Sequence, residues 1–307
     1  MTAPDDLVSI GVPTYNRLDS LKVTVESLLR QTHPNLEIVI SDNASTDGTE
    51  AWATALAAEH ESVTYLRSPV NVGPTANFER ARSGTSGPWF MWLADDDWVD
   101  DDYIATCLAH LRADPRRALV AGTARYFADG HPDEVGVVVQ ATGATPGSRV
   151  VEYYRQVFDN GTFYGVMHRS TIDATHPPRE QMGDDWLLLA EIAAVGEIHT
   201  LASTSVHRAV RPSRTFAELA HGAGFSRWQG RFPYVAIALF AMRDAAFGSD
   251  AFRRLGWRRF PVALHLGAVI ARRFILSGLR WTSLKRRARR IADRVCSRSS
   301  SGAGTDR

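Results

Sequence analysis

The chain predicts an α/β fold: a single mixed, mostly parallel sheet flanked by helices, with a helical C-terminal extension. Three observations carry this. Short apolar runs alternate with segments of helical periodicity, the order that lays down parallel strands with right-handed crossovers. Three of those runs end in polar or acidic residues, at the strand ends where open α/β sheets bind ligands. From about residue 215 the alternation gives way to helices with wide apolar faces.

Residues 7–12, Leu-Val-Ser-Ile-Gly-Val, read as a buried strand that leaves through the turn Pro13-Thr14-Tyr15-Asn16-Arg17. Leu18, Leu21, Val25, Leu28 and Leu29 then follow helical spacing, and His33-Pro34-Asn35 ends that helix. Residues 36–41 form the second strand, which runs into a polar loop, residues 42–49, before a helix from about Glu50. Residues 63–66 are a third short strand. Asn71-Val72-Gly73-Pro74 turns into a helix over 75–82 that carries Asn77 and the solvated charges Arg80 and Arg82.

The stretch from Trp89 to Trp98 organises the rest: a short aromatic strand stops abruptly in Asp95-Asp96-Asp97. Adjacent carboxylates repel, so folding alone gives little reason to gather them. A hard divalent cation such as Mn²⁺ or Mg²⁺ supplies one, because it takes oxygen ligands and shares them with substrate phosphates. The bland alternative is an acidic turn capping the next helix.

Asp100, Asp101 and Asp102 start a helix through Ile104, Leu108 and Leu111. A strand over 118–126 follows, then a Gly- and Pro-rich segment over 128–147 with a short strand at 135–139, a helix over 150–158, and a strand within 161–170. Asp184 and Asp185 precede an amphipathic helix. Residues 197–206 read as strand, followed by His207, Arg208, Arg211 and Arg214.

The chain has 307 residues and a formal net charge of +1, enough for a large core and with no charge excess to suggest a nucleic-acid partner. Cys107 and Cys296 lie far apart, which fits a reducing compartment and no disulfide framework. The polar, acidic start does not read as a signal peptide. No Gly-x-Gly-x-x-Gly follows the first strand, where Pro13 stands, and no phosphate-binding Gly-x-x-x-x-Gly-Lys loop occurs; the nicotinamide and P-loop readings are excluded.

Four segments in series resemble the family 2 glycosyltransferases of GT-A fold: residues 8–17, residues 40–49, Asn71-x-Gly73 with Asn77, and residues 93–97. The resemblance is strong over the first hundred residues, weakens to about 215 and is absent beyond. It implies a catalytic domain over 1–215, with a Rossmann-like nucleotide-sugar half over about 1–98 and an acceptor half over 99–215. A basic helical region over 216–298 and a disordered tail over 299–307 complete the expected organisation. It implies a metal-dependent, inverting transfer of sugar from a nucleotide-diphosphate donor of UDP, GDP or dTDP type to a hydroxyl of a glycan or lipid-linked acceptor.

On this resemblance Pro13, Thr14, Tyr15, Asn16 and Arg17 line the nucleotide, with Asn77 beside them. Asp42 contacts the base, whose N–H groups suit a carboxylate. Asp95, Asp96 and Asp97 hold the metal in one of two registers, with Asp95 and Asp96 also at the donor. Asp185 is the candidate base, with Asp184 second; the alternative is a pair of acids stabilising a helix start. His207, Arg208 and Arg211 are weaker candidates for metal or phosphate. The rivals are a nucleotidyltransferase, which would use a Gly-rich basic loop after the first strand, and a catalytically inactive member serving as a binding subunit.

Beyond residue 279, Arg280, Lys285, Arg286, Arg287, Arg289, Arg290, Arg294 and Arg298 interleave with Trp281, Leu284, Ile291 and Val295. This suits attachment to an anionic membrane surface, hence a cytoplasmic enzyme peripheral on the cytoplasmic face. The alternative is a helical cap on the catalytic domain.

Overall fold

The computed structural model describes residues 6–127, 134–209, 218 and 225–276. Strand β1 (Val8–Thr14) is buried along its whole length and lies between β2 (Leu36–Asp42) and β4 (Trp89–Trp92), parallel to both. β3 (Val63–Arg67) adds outside β2, also parallel. The helices α1 (Leu18–Leu29), α2 (Thr49–Glu59) and α3 (Pro74–Ser83) connect these strands. All four of these strands end on one side, so the residues following β1, β2 and β4 are neighbours in space.

The sheet then changes direction. β5 (Asp97–Val99), α4 (Tyr103–Ala113), β6 (Arg117–Phe127), β7 (Glu134–Val135), α5 (Pro146–Gln156), β8 (Val166–His168), α6 (Arg169–Asp173), α7 (Asp184–Val195) and β9 (Glu197–Ala209) follow. The strand order is β3-β2-β1-β4-β8-β6-β9-β5, with β7 paired to β6. β8 runs antiparallel to both β4 and β6; β6 and β9 are parallel; β5 returns antiparallel to β9. The mixed, mostly parallel sheet expected from the sequence is present.

Three expectations change. The strand expected within 161–170 is confined to β8, because Gly161–Tyr164 forms a 3₁₀ turn whose Phe163 ring stacks on Trp92 at 5.1 Å. The strand expected at 135–139 stops at Val135, because the amides of Val137 and Val139 donate to the Asp159 carboxylate and the Thr200 hydroxyl instead of to a strand. β5 was not foreseen: it is three residues long and begins with one of the clustered acids.

Helices α8 (Arg227–Arg231), α9 (Pro233–Phe247), α10 (Asp250–Arg253) and α11 (Arg259–Ile270) follow, the last continuing as a π-helical turn, Ala271–Leu276. They pack as a cap. Ile237, Ala241, Phe252, Leu266 and Phe274 share one apolar core with Tyr153, Tyr154 and Ile192 of α5 and α7. Among the described residues no helix is long and apolar enough to cross a membrane. The basic run over 280–298 and the tail over 299–307 lie outside the described residues.

Candidate active site

The end of β1 is a strained turn. Asn16 adopts a positive φ of 52°, and Ala44, in the facing loop after β2, one of 66°; non-glycine residues rarely occupy this region. Hydrogen bonds hold both loops there. The Asn16 amide donates to Ser45 Oγ at 2.9 Å, and Asn16 Oδ1 accepts from the Thr46 amide at 2.7 Å. Asp47 accepts from the Leu18 amide at 2.9 Å, which joins the same two loops. Pro13 and Thr14 are buried in β1, while Tyr15 stands 44 % exposed at the lip.

Asp42 closes its own loop. Its carboxylate is wholly buried, accepts from the Tyr65 hydroxyl at 2.7 Å and the Ser45 amide at 2.9 Å, and lies 3.7 Å from Arg67 Nε. A base at this strand end would approach a carboxylate that these partners already engage. Asn77 is also buried: it donates to the carbonyls of Ser41 at 2.9 Å and Thr14 at 3.3 Å, and accepts from Ser41 Oγ at 2.7 Å. It ties the ends of β1 and β2 together. Arg82 pairs with Glu79 and Asp173, and Arg80 donates to the Asp42 carbonyl at 3.3 Å.

The acidic knot divides into three roles. Asp95 turns back to β1, accepting from Thr14 Oγ1 at 2.8 Å, the Tyr15 amide at 3.4 Å and Arg17 Nη1 at 2.8 Å. Burial raises its proton affinity, and Arg17 and Thr14 oppose that. Asp96 lies 3.6 Å from the same guanidinium and has the most accessible carboxylate of the three. Asp97 turns the other way, to Arg208 Nε at 3.1 Å and the Tyr164 hydroxyl. Burial pushes its pKa up to about 6, against the pull of Arg208. The backbone of the knot and of the residues after it hangs from α1 and the turn that follows: Thr24 Oγ1 donates to the Asp97 carbonyl at 2.8 Å, and Gln31 donates to the Asp100 carbonyl at 2.7 Å.

These residues fit a divalent cation. Their donors are hard carboxylate oxygens at a strand end, and two of the three carboxyls are desolvated enough that a cation would stabilise their ionised form. The knot is not a closed protein cage, which suits an ion that keeps positions for phosphate oxygens. Among the described residues, His176, Glu191 and Asp244 do bring ligand-type atoms within 4.8 Å of one another. Arg179 and Arg243 fill that cluster, donating to Asp244 at 2.6 and 2.9 Å, so it is a buried ion-pair network.

Asp184 and Asp185 share a helix start but not an environment. Asp184 accepts from the Arg179 amide at 2.7 Å, Gln181 Nε2 at 2.9 Å and His176 Nε2 at 3.1 Å. Burial works against its charge, yet these donors hold its pKa below the ordinary carboxylate value. Asp185 has its own Trp186 amide at 3.0 Å and the Asn160 side chain, and burial, helped by Asp184, raises its pKa. Gly183, at φ +74°, supplies the left-handed turn before both.

Asn160 was not singled out in the sequence. Its Oδ1 accepts from Arg208 Nη1 and its side chain bonds Asp185. A continuous polar chain therefore runs Asp97–Arg208–Asn160–Asp185. Arg208 is its hub, with its guanidinium 5.0 Å from the Tyr164 ring centre and 5.7 Å from that of Tyr126. His207 points to the opposite face of β9, stacking on Trp98 at 5.4 Å and bonding Asp100 at 2.7 Å. Arg211 and Arg214 lie outside the described residues.

Comparison with known proteins bears on the fold and the family. The model of glycosyl transferase family 2 matches residues 9–171. Abequosyltransferase RfbV of Salmonella typhimurium is 37 % identical over 108 residues, 34 % of this chain and 32 % of that protein, so the match spans about a third of that relative. The GalNAc(5)-diNAcBac-PP-undecaprenol beta-1,3-glucosyltransferase of Campylobacter jejuni is 22 % identical over 247 residues, 79 % of this chain and 76 % of the relative. Among solved structures, S. aureus TarS 1-349 with UDP has a TM-score of 0.54 at 17 % identity, over 78 % of this chain and 72 % of that one. The mannosyltransferase PcManGT of Pyrobaculum calidifontis, with GDP-Man and Mn2+, has a TM-score of 0.51 at 17 % identity, over 87 % and 86 %. Those two likenesses show the GT-A fold. With the family model covering more than half of its length, the chain belongs to glycosyl transferase family 2.

Proposed function

We propose that this protein is an inverting, metal-dependent glycosyltransferase that moves a sugar from a nucleotide-diphosphate donor to an acceptor hydroxyl in polysaccharide or glycoconjugate synthesis. The observation that carries the reading is the polar chain from Asp97 to Asp185, which joins a strand-end acid cluster to a second acid of raised proton affinity. A diphosphate leaving group needs positive charge, and an attacking hydroxyl needs a base. Here the groups for both are linked through Arg208 and Asn160.

Residues 13–17 line the nucleotide, fixed by the bonds from Thr14 and Arg17 to Asp95. Asp96 and Asp97 hold Mn²⁺ or Mg²⁺, and Asp95 fastens the nucleotide loop beneath them. The ion, when bound, supplies a Lewis acid at the diphosphate. Arg208 adds a second cation beside the same phosphates and keeps Asp97 ionised. Asp185 accepts the proton of the acceptor hydroxyl as that oxygen bonds to the anomeric carbon and the nucleoside diphosphate leaves. Asp184, saturated by three donors, orients the loop. Structural neighbours holding UDP, UDP-GlcNAc and GDP-Man support a donor of this class, and the relative named for an undecaprenol-linked glycan supports a lipid-linked acceptor. Contact with an anionic membrane, through Lys285, Arg286, Arg287, Arg289 and Arg290, would bring the enzyme to such an acceptor.

The test is incubation with UDP-, GDP- and dTDP-sugars, with and without Mn²⁺, reading released nucleoside diphosphate. Metal-dependent release that disappears in Asp96→Ala and Asp97→Ala supports the site. Full release in both variants refutes the metal assignment, and nucleotide binding without turnover would mark a binding subunit.

A further inference from the structure

A groove of about 500 Å³ opens between the start of α5 and the C-terminal helices. Arg155, Arg254, Arg258 and His265 line it, with Leu255 and Val262 as apolar wall; none of its lining residues is acidic, and none belongs to the acid site. Arg155 Nη2 and His265 Nε2 stand 3.5 Å apart. Among the described residues no carboxylate pairs with the side chain of Arg155, Arg254 or Arg258. Cations gathered without counter-charge create a potential that an anion relieves. Forked guanidinium donors suit phosphate oxygens.

The rim decides which phosphate. Trp257 lies in the short turn between Arg254 and Arg258 and is 86 % exposed; Leu264, one residue before His265, is 67 % exposed. A soluble phosphate has no use for these side chains. A membrane does: Trp settles at the headgroup level, and Leu enters the acyl boundary.

We propose that this groove seats the phosphate headgroup of an anionic membrane lipid, with Trp257 and Leu264 entering the interface beside it. The proposal rests on the membrane contact suggested above and gives it a second seat, on helices packed directly against the catalytic half. The cap then holds its outer face to the bilayer while its inner face holds the α7 loop.

The experiment is flotation of the full chain with vesicles of phosphatidylcholine alone or mixed with phosphatidylglycerol. The wild type should float only with the mixture. The double variant Arg254→Gln, Arg258→Gln should lower that partition about tenfold or more, at about 1 kcal/mol per basic residue near the surface, with donor hydrolysis in solution unchanged. Trp257→Ala should weaken it with every charge kept. Wild-type flotation by the double variant overturns the proposal. If the Gln variant of Lys285, Arg286, Arg287, Arg289 and Arg290 alone loses binding, the groove is overturned and the tail reading stands. A wild type that floats with neither vesicle removes both membrane readings and leaves the glycosyltransferase reading untouched. Inorganic phosphate at constant ionic strength should compete for the same seat and lower flotation; phosphate binding by a protein that floats with neither vesicle would reassign the groove to a soluble anion and overturn the lipid.

Discussion

Arg208 and Asp97 are direct register partners across the β9–β5 ladder, and their side chains meet at 3.1 Å on one face of the sheet. Register thus places a guanidinium against the knot without any loop to position it. Both groups are nearly enclosed, so removing either leaves the other without its partner. Arg208→Lys keeps a charge but cannot donate to Asp97 and Asn160 together, and turnover should fall about 10²–10³-fold, as on removal of one preorganised electrostatic group. Arg208→Ala should also cost about 3 kcal/mol of stability, because a buried carboxylate loses its partner. Steady-state rates and urea unfolding check the two halves.

Asp185→Asn keeps shape and removes proton affinity. Turnover should fall about 10²–10⁴-fold with donor affinity unchanged. Only the carboxylate form of the proposed base accepts a proton, so activity should rise with pH through the Asp185 pKa, which burial lifts above the ordinary carboxylate value. Asn160 donates to that carboxylate and lowers the pKa. Asn160→Ala should therefore shift the acid limb of the kcat/KM profile to higher pH. A collapse of donor affinity in Asp185→Asn, or an unmoved limb in Asn160→Ala, would contradict these roles.

Gly183 precedes the two acids at φ +74°, and a Cβ there would lie 2.6 Å from Ile237 Cγ1 on α9. Gly183→Ala should destabilise the protein by about 1–3 kcal/mol, through backbone strain and overpacking together. Adding Ile237→Ala should remove the clash while keeping the strain. Equal stability of wild type and Gly183→Ala in chemical denaturation would show that the turn relaxes freely.

His176 lies between Asp184 and Glu191, 3.1 and 2.9 Å away. Burial alone would lower its pKa, but the two acids outweigh it and raise the pKa to about 9, from 6.5. A pKa raised on folding gives stability that is complete below 6.5 and lost as pH rises through about 9. Thermal unfolding should show a falling Tm across that window, and His176→Gln should flatten it. A flat wild-type profile would mean a neutral His176.

The first half of the fold was legible because its strands are continuous apolar runs with polar ends, and residues 8–14 and 36–42 fall within a residue or two of the expected bounds. The acids 95–97 and 184–185 were legible as candidates because clustered charge at an element boundary is unusual. What joins them was not. Arg208 ranked low because its importance lies in pairing across β5, a strand too short to show any period. Asn160 gave no signal beyond an Asn-Gly pair. Asn77 was expected beside the nucleotide, and helical spacing alone does not reveal the buried carbonyls of Thr14 and Ser41 that it meets.

The family match ends at residue 171, and the groups that fix the loop before α7 come from much later in the chain. Gln229 accepts from the Met182 amide at 2.9 Å, Ile237 crowds Gly183, Arg243 donates to Gln181 at 3.2 Å, and Asp244 holds Arg179. A hybrid that takes residues 1–98 from another parent and keeps the rest of this chain would leave those pairs together. One joined near residue 215 would separate loop from cap and mismatch four contacts at once. Residues 176–184 and 229–244 should therefore be exchanged together in laboratory recombination.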